Sequence, residues 1–351
     1  MKLFVGCQGG TLPSRACLQK SFTPLFFEGT AKREPDNLAG DRCWTLAHRS
    51  SYKPNTFRDP AELFVLGDSG AFSHSPEQRW TFDRHLFNLN AWEQKFAKTQ
   101  GWQEWYFSVA ASYDLLIDEV WLDGFRQKQR WSVIEADGAV DETVAAAQYF
   151  NANRNQLQPR TLLLGCQGVN ASQYKRCVER VLEVAKPEDW IGFGGWCILG
   201  HLQFKHYLFE FYKTLNECVE LVARAGVKHV HLFGVRYEPA VAAMQWECDF
   251  HGITCSTDSS RVLRDCTVPS LVALKKSGAR QPYWQDNVEW WKNHLANIDR
   301  SPYYQRPSEN LAREALLQDD FIGIEPRKFL KETFGDIGQS SAYSLPLVFV
   351  S

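Results

Sequence analysis

The stretch LFVLGDSGAFS, Leu63 to Ser73, decides how the rest of the chain is read. Its first four residues, Leu63 to Leu66, form the kind of apolar run that makes a strand buried on both faces. The run stops at Gly67, and the chain then sets down Asp68 and Ser69, with Gly70, Ala71, Phe72 and Ser73 behind them. A core strand that ends by presenting a carboxylate and a hydroxyl fits an α/β protein, whose chemistry collects where parallel strands end.

The same order recurs outward from that stretch: an apolar run, a polar or glycine-rich stop, then a helical pattern. The runs are KLFVG (2–6), WYFSVAA (105–111), TLLLG (161–165), WIGFG (190–194), HVHLFG (229–234) and GITCS (252–256). Between them, ASQYKRCVERVLEVA (171–185) places Tyr174, Cys177, Val178, Val181, Leu182 and Ala185 on one helical face, and YLFEFYKTLNECVELVARAG (207–226) ends in a glycine suited to a helix C-terminus. Seven or eight such units over roughly 250 residues predict a (β/α)8 TIM barrel. A Rossmann fold is the runner-up. It is weakened because GCQGG at 6–10 is followed by TLPSR and opens no helical pattern. Residues 1–268 are read as a TIM-barrel catalytic domain, and 269–351 as the last barrel helix plus a small C-terminal helical extension, with ENLAREALLQDD (309–320) helical.

Bulk properties narrow the partners. The 351 residues are 44% apolar and 23% charged with a net charge of −2, which excludes a grossly basic protein, so any nucleic-acid site must be a local patch. MKLFVGCQGG is too short an apolar run for a signal peptide, and no window approaches the roughly 20 apolar residues of a membrane span. The expectation is a soluble, cytoplasmic protein with no membrane partner. The 10 cysteines, at 7, 17, 43, 166, 177, 197, 218, 248, 255 and 266, include no CxxC. They are read as free thiols rather than a disulfide framework or metal site, and no cofactor is expected.

The strand ends deliver a coherent set: Asp68 and Ser69, Asp114, then Cys166 and Gln167 with Gly168, then Gly194, Gly195 and Trp196, then His231, Phe233 and Gly234, then Asp258, Ser259, Ser260 and Arg261. Each has a plainer reading. An Asp after a strand often caps the next helix, paired glycines make tight turns, and aromatics fill cores. Together, three carboxylates, an amide and aromatics suit a planar, hydrogen-bonding substrate. A guanine-like edge offers two adjacent N–H donors to a carboxylate, its carbonyl needs a donor such as Gln167 or a glycine N–H, and its faces want aromatic rings. A further carboxylate pair could act at a sugar carbon, as in retaining glycoside hydrolysis.

DSGAF (68–72), GCQG (165–168), GFGG (192–195), HLFGV (231–235) and TDSS (257–260) resemble, in order and at similar spacing, the motifs of the tRNA-guanine transglycosylases. The resemblance covers about residues 1–265. It implies a (β/α)8 barrel that exchanges guanine for a 7-deazaguanine base such as preQ0. Position by position, it implies Asp258 as the nucleophile on C1′ and Asp68 as the general base. It implies Asp114 as the reader of the N1–H and 2-amino edge, with Ser69 and Gln167 bonding around the base. Gly195 would be a backbone donor and Phe72 and Phe233 the sandwiching rings, while Gly194, Trp196 and Gly234 complete the base-binding set. The family's zinc-binding CxCxxC and His have no counterpart, since only Cys266 and His294 follow Asp258. That departure makes the chain look more like the DNA-modifying branch found in phages and bacterial islands, which would act in the host cytoplasm when phage-encoded. Arg42, Lys53, Ser259 and Arg261 are candidates for contacts to the nucleic acid. Residues 1–60 carry nine basic against five acidic side chains, and Lys275, Lys276 and Arg280 form a second basic group. Trp284, Trp290, Trp291, Tyr303 and Tyr304 could stack on unpaired bases, although core packing is the commoner role. A zinc-free tRNA enzyme, a non-catalytic nucleic-acid-binding paralogue and a barrel enzyme acting on a small sugar or nucleoside stay open, as does a homodimer.

Overall fold

A computed structural model describes residues 1–6, 25–30, 63–69, 81–122, 125–157, 159–199, 207–259, 290–291 and 293–311. In chain order the strands are β1 (Lys2–Gly6), β2 (Leu25–Thr30), β3 (Leu63–Asp68), β4 (Val109–Ala111), β5 (Glu119–Leu122), β6 (Phe125–Lys128), β7 (Thr161–Cys166), β8 (Trp190–Phe193), β9 (His229–Leu232) and β10 (Thr254–Ser259). Six of them, in the order β3-β4-β7-β8-β9-β10, pair in parallel as a half-barrel sheet. β1 pairs in parallel with β10 and β2, and β2 with β3, so the pairings run in a ring. β5 and β6 form a separate antiparallel hairpin.

The helices are α1 (Phe82–Gln100), α2 (Val133–Ala152), α3 (Arg154–Leu157), α4 (Ala171–Leu182), α5 (Tyr207–Arg224) and α6 (Glu238–Phe250). Their starts follow local chemistry. Thr81 accepts from Arg84 N, Ser132 and Glu135 cap each other reciprocally, and Asn170 accepts from Gln173 N. Among the described residues no helix is long and apolar enough to cross a membrane.

Strand alternation divides the side chains between two layers. Leu66, Val109, Ala111 and Leu163 pack together on the inner face. Leu162, Leu164 and Cys166 point outward to meet Tyr174, Cys177, Val178 and Val181 of α4, the face expected from the sequence. Cys166, Cys177, Cys218, Cys248 and Cys255 are buried thiols. Residues 291–311 join the same core through Trp291, Leu295, Ile298 and Leu311. They are tied to α6 by Ser301 Oγ donating to Glu238 Oε1 at 2.7 Å and Tyr304 OH donating to Asp249 Oδ2 at 2.7 Å. The expected boundary at 268/269 and residues 312–320 of the expected helix lie outside the described residues.

Two strands differ in extent from the sequence reading. The run at 105–111 is a strand only from Val109, because Phe107 N donates to the buried Glu93 carboxylate at 2.8 Å rather than to a neighbouring strand. Glu93 also takes a bidentate bond from Arg160, just ahead of β7. Burial pushes the Glu93 carboxyl up, and the guanidinium beside it pulls the other way. The run at 252–256 starts later and extends further, since Gly252 turns at φ +65° and pairing begins at Thr254. Asp258, like Asp68, therefore sits within a strand and not in the loop behind it.

Candidate active site

Asp258 on β10 and Asp68 on β3 are separated around the ring by β1 and β2 on one side and by β9, β8, β7 and β4 on the other. They therefore end different strands at the C-terminal end of the sheet. Asp258 is 6% exposed. Its Oδ1 accepts from Gly234 N at 2.6 Å and lies 3.2 Å from His231 Nε2. Gly234 holds φ at +67°, which a side chain would strain, and this conformation aims its N–H at the carboxylate. The glycine expected to touch the base serves the nucleophile candidate instead.

On the other side Ser69 Oγ donates to Asp114 Oδ1 at 2.7 Å. Asp114 is pushed up to about 7, first by burial and then by the charge of nearby Asp68, with the Ser69 hydroxyl opposing both. Burial and the neighbouring charge both disfavour the Asp114 anion. Asp68, Ser69 and Asp114 are thus linked, Ser69 by a hydrogen bond and Asp68 through its charge.

Phe233 packs closely beside these residues. A side chain at Gly192 would collide with its ring, so the glycine permits a close approach. A carbon added at Gly194 would lie 3.5 Å from Asp114 Oδ2 and 3.9 Å from the Phe233 ring, so both side chains approach Gly194 closely. Phe233 also meets His231 edge-on, with centroids 4.8 Å apart. The same ring packs against the apolar group of Leu66, Val109, Ala111 and Leu163.

Other expected residues are placed elsewhere. Gln167 Nε2 donates to Thr143 Oγ1 at 2.5 Å and to Ala139 O at 3.4 Å, so its amide is engaged with α2. Trp196 is fully buried between Tyr174 and Phe211, in the helical layer and away from the carboxylates. The Gly194 N–H donates to Cys166 O at 2.9 Å. Gly195 presents its carbonyl to Arg130, whose other terminal nitrogen donates to Gly168 O at 2.9 Å. The Arg130 guanidinium lies 4.4 Å from the Trp196 ring centroid, and burial lowers its pKa while Asp118 raises it. Sequence reasoning missed Arg130, which no motif marks. It also missed the Asp123-Gly124 pair, a hairpin signal between β5 and β6 that introduces it.

Phe72, Arg42, Lys53, Arg261, Lys275, Lys276, Arg280, Trp284 and Cys266 lie outside the described residues, and Ser259 is described by its backbone alone. Trp291 is 7% exposed and belongs to the core, whereas Trp290 is 37% exposed and stacks on His294 at 4.9 Å. Among the described residues no group of three or more His, Cys, Asp or Glu side chains could hold a metal ion. No protein-family model matches the chain, and no curated protein matches its sequence.

Proposed function

We propose that the chain is a guanine transglycosylase built on a complete (β/α)8 barrel with a small C-terminal helical extension. It exchanges guanine in a polynucleotide, DNA in preference to tRNA, for a 7-deazaguanine base such as preQ0. The observation that supports this reading is that Asp258, hydrogen-bonded by Gly234 and His231, and the Asp68–Ser69–Asp114 group end different strands of one parallel sheet, with Phe233 close to Gly194 beside Asp114. A carboxylate held by hydrogen bonds keeps one orientation, which suits a nucleophile. Asp114, raised to about 7, becomes the anionic acceptor that edge recognition needs as pH rises through that value.

In the first half-reaction a carboxylate oxygen of Asp258 attacks C1′, the C1′–N9 bond breaks, and the departing guanine takes a proton from Asp68. In the second, Asp68 accepts the N9 proton of the incoming base, N9 attacks C1′, and the ester bond breaks to restore the Asp258 carboxylate. Asp114 accepts from N1–H and the 2-amino group. Phe233 covers one face of the ring. In a duplex the target must first be flipped out of its stack at a cost of a few kcal/mol. A DNA substrate places the enzyme in the cytoplasm, the host's if a phage encodes it.

The test is exchange of labelled base into matched DNA and tRNA, with a denaturing gel to trap the covalent species. Incorporation into DNA with an Asp258-dependent adduct is expected. Incorporation into tRNA alone would overturn the DNA assignment, and absence of exchange in both polymers would overturn the enzyme.

A further inference from the structure

We infer that His231 is the positioning residue of Asp258, and that Ser256, His229 and Thr254 decide which of its nitrogens carries the proton. The kinetic half of this rests on the transglycosylase reading above; the tautomer half does not. His229 and His231 alternate along β9, and Thr254, Ser256 and Asp258 along β10, with His229 paired to Thr254 and His231 to Ser256. Side chains two apart share a face, so all five lie on one side of the two strands.

They form a continuous hydrogen-bonded chain. Thr254 Oγ1 is 2.7 Å from His229 Nδ1, His229 Nε2 is 2.7 Å from Ser256 Oγ, Ser256 Oγ is 2.8 Å from His231 Nδ1, and His231 Nε2 is 3.2 Å from Asp258 Oδ1. Thr254, at the start of β10, is exposed, while Ser256 and His231 are fully buried. Trp190 stacks on His229 with centroids 3.6 Å apart, and Phe233 meets His231 edge-on, so neighbouring rings restrain both imidazoles.

Counting hydrogens fixes the direction. With both imidazoles neutral, each ring has one donor and one acceptor nitrogen. If the Thr254 hydroxyl donates to His229 Nδ1, then His229 Nε2–H donates to Ser256, Ser256 donates to His231 Nδ1, and His231 Nε2–H donates to Asp258. Every link is satisfied with Asp258 anionic. The Thr254 hydroxyl has a second acceptor in reach, Lys228 O at 3.0 Å. If it donates there, each link reverses, and a bare His231 Nε2 faces the carboxylate unless a further proton joins the pair. An anionic Asp258 therefore selects the first direction, and the chain holds an N–H on Oδ1 throughout catalysis. That donor orients the carboxylate for attack and stabilises the charge that returns to it when the ester breaks.

The test has two parts. In protein labelled with 15N at histidine, both His229 and His231 should show the Nε2–H tautomer, and Asp258→Asn should shift the His231 Nε2 resonance. An Nδ1–H tautomer at His231, or no response to Asp258→Asn, would overturn the inference whether or not the protein exchanges bases. In kinetics, His231→Phe should slow ester formation by about 10²–10³-fold, the usual cost of one preorganised donor. Binding of free guanine should change less than about twofold, since the donor acts on Asp258 and not on the base. His231→Gln, which returns an N–H near the Nε2 position, should recover most of the loss. A wild-type rate of ester formation in His231→Phe would overturn the positioning role. If that variant does not fold, the tautomer measurement on the wild-type protein decides.

Discussion

On one side of the parallel sheet's strand order the inward side chains are Leu66, Val109, Ala111 and Leu163, packed against one another. On the other they are His229, His231, Ser256 and Asp258, bonded to one another. Both groups are buried, but dispersion and water exclusion have no preferred direction, whereas a hydrogen bond does. The apolar arc needs only volume. The polar arc needs each donor opposite an acceptor, since a buried polar group without a partner costs about 1–3 kcal/mol. The first stabilises the fold wherever its atoms happen to meet; the second stabilises one arrangement of one carboxylate.

If that division is right, substitutions on the two arcs should register on different instruments. Asp258→Asn keeps the size of the side chain but removes the anion, so exchange and the gel-stable adduct should fall by at least about 10³-fold, as for loss of other catalytic nucleophiles. An adduct formed by the variant at the wild-type rate would break the comparison at its strongest point. Leu163→Ala should do the reverse. It should cost about 2–5 kcal/mol in denaturant unfolding, while the folded fraction keeps its rate per molecule. A variant of unchanged stability and crippled turnover would move Leu163 into the site.

Asp114→Ala should weaken binding of free guanine by about 1–3 kcal/mol for each donor left without an acceptor, measured by calorimetry. It should leave the unfolding midpoint at neutral pH unchanged or higher. The reason is the sign of the linkage. A carboxyl raised from 3.8 to about 7 in the fold holds a proton that the unfolded chain has lost. Its contribution is complete below the unfolded value and is lost as pH rises through about 7, so removing it costs nothing above that window. The smallest effect sharpens the same point. Guanine binding should strengthen as pH climbs through about 7, because the anion is the acceptor. Asp68→Asn should move that midpoint downward by removing the second-largest cause of the shift. A midpoint that stays in place would show that burial alone sets it.

Much of the fold was legible because β7 and β8 are buried on both faces and so read as near-continuous apolar runs. β2 was not, since LFFEGT offers three apolar residues before a charge and no helical pattern ahead of it. Asp68, Ser69, Asp114 and Asp258 could be found because each ends or follows a strand run. Their partners were harder to find. Gly234 looked like a base contact, and nothing in the sequence says that its N–H turns toward Asp258. His231 was visible at the rim but without a role. The signal was the alternation itself, His-x-His on one strand and Ser-x-Asp on the next, which becomes a chain only when the register is known. Arg130 leaves no sequence trace, because it acts on the carbonyls of two distant loops.

The register Phe4↔Asp258 joins the first strand to the last. During synthesis on the ribosome, residues 1–6 emerge long before residues 254–259, and the recognition group on β3 and β4 is made well ahead of the residue that would attack. On the proposed reading, a partly made chain would carry the carboxylates that recognise a base before it has the one that attacks C1′. Reactivity would then be the last property the nascent protein acquires, and a truncated product released before β10 would lack it.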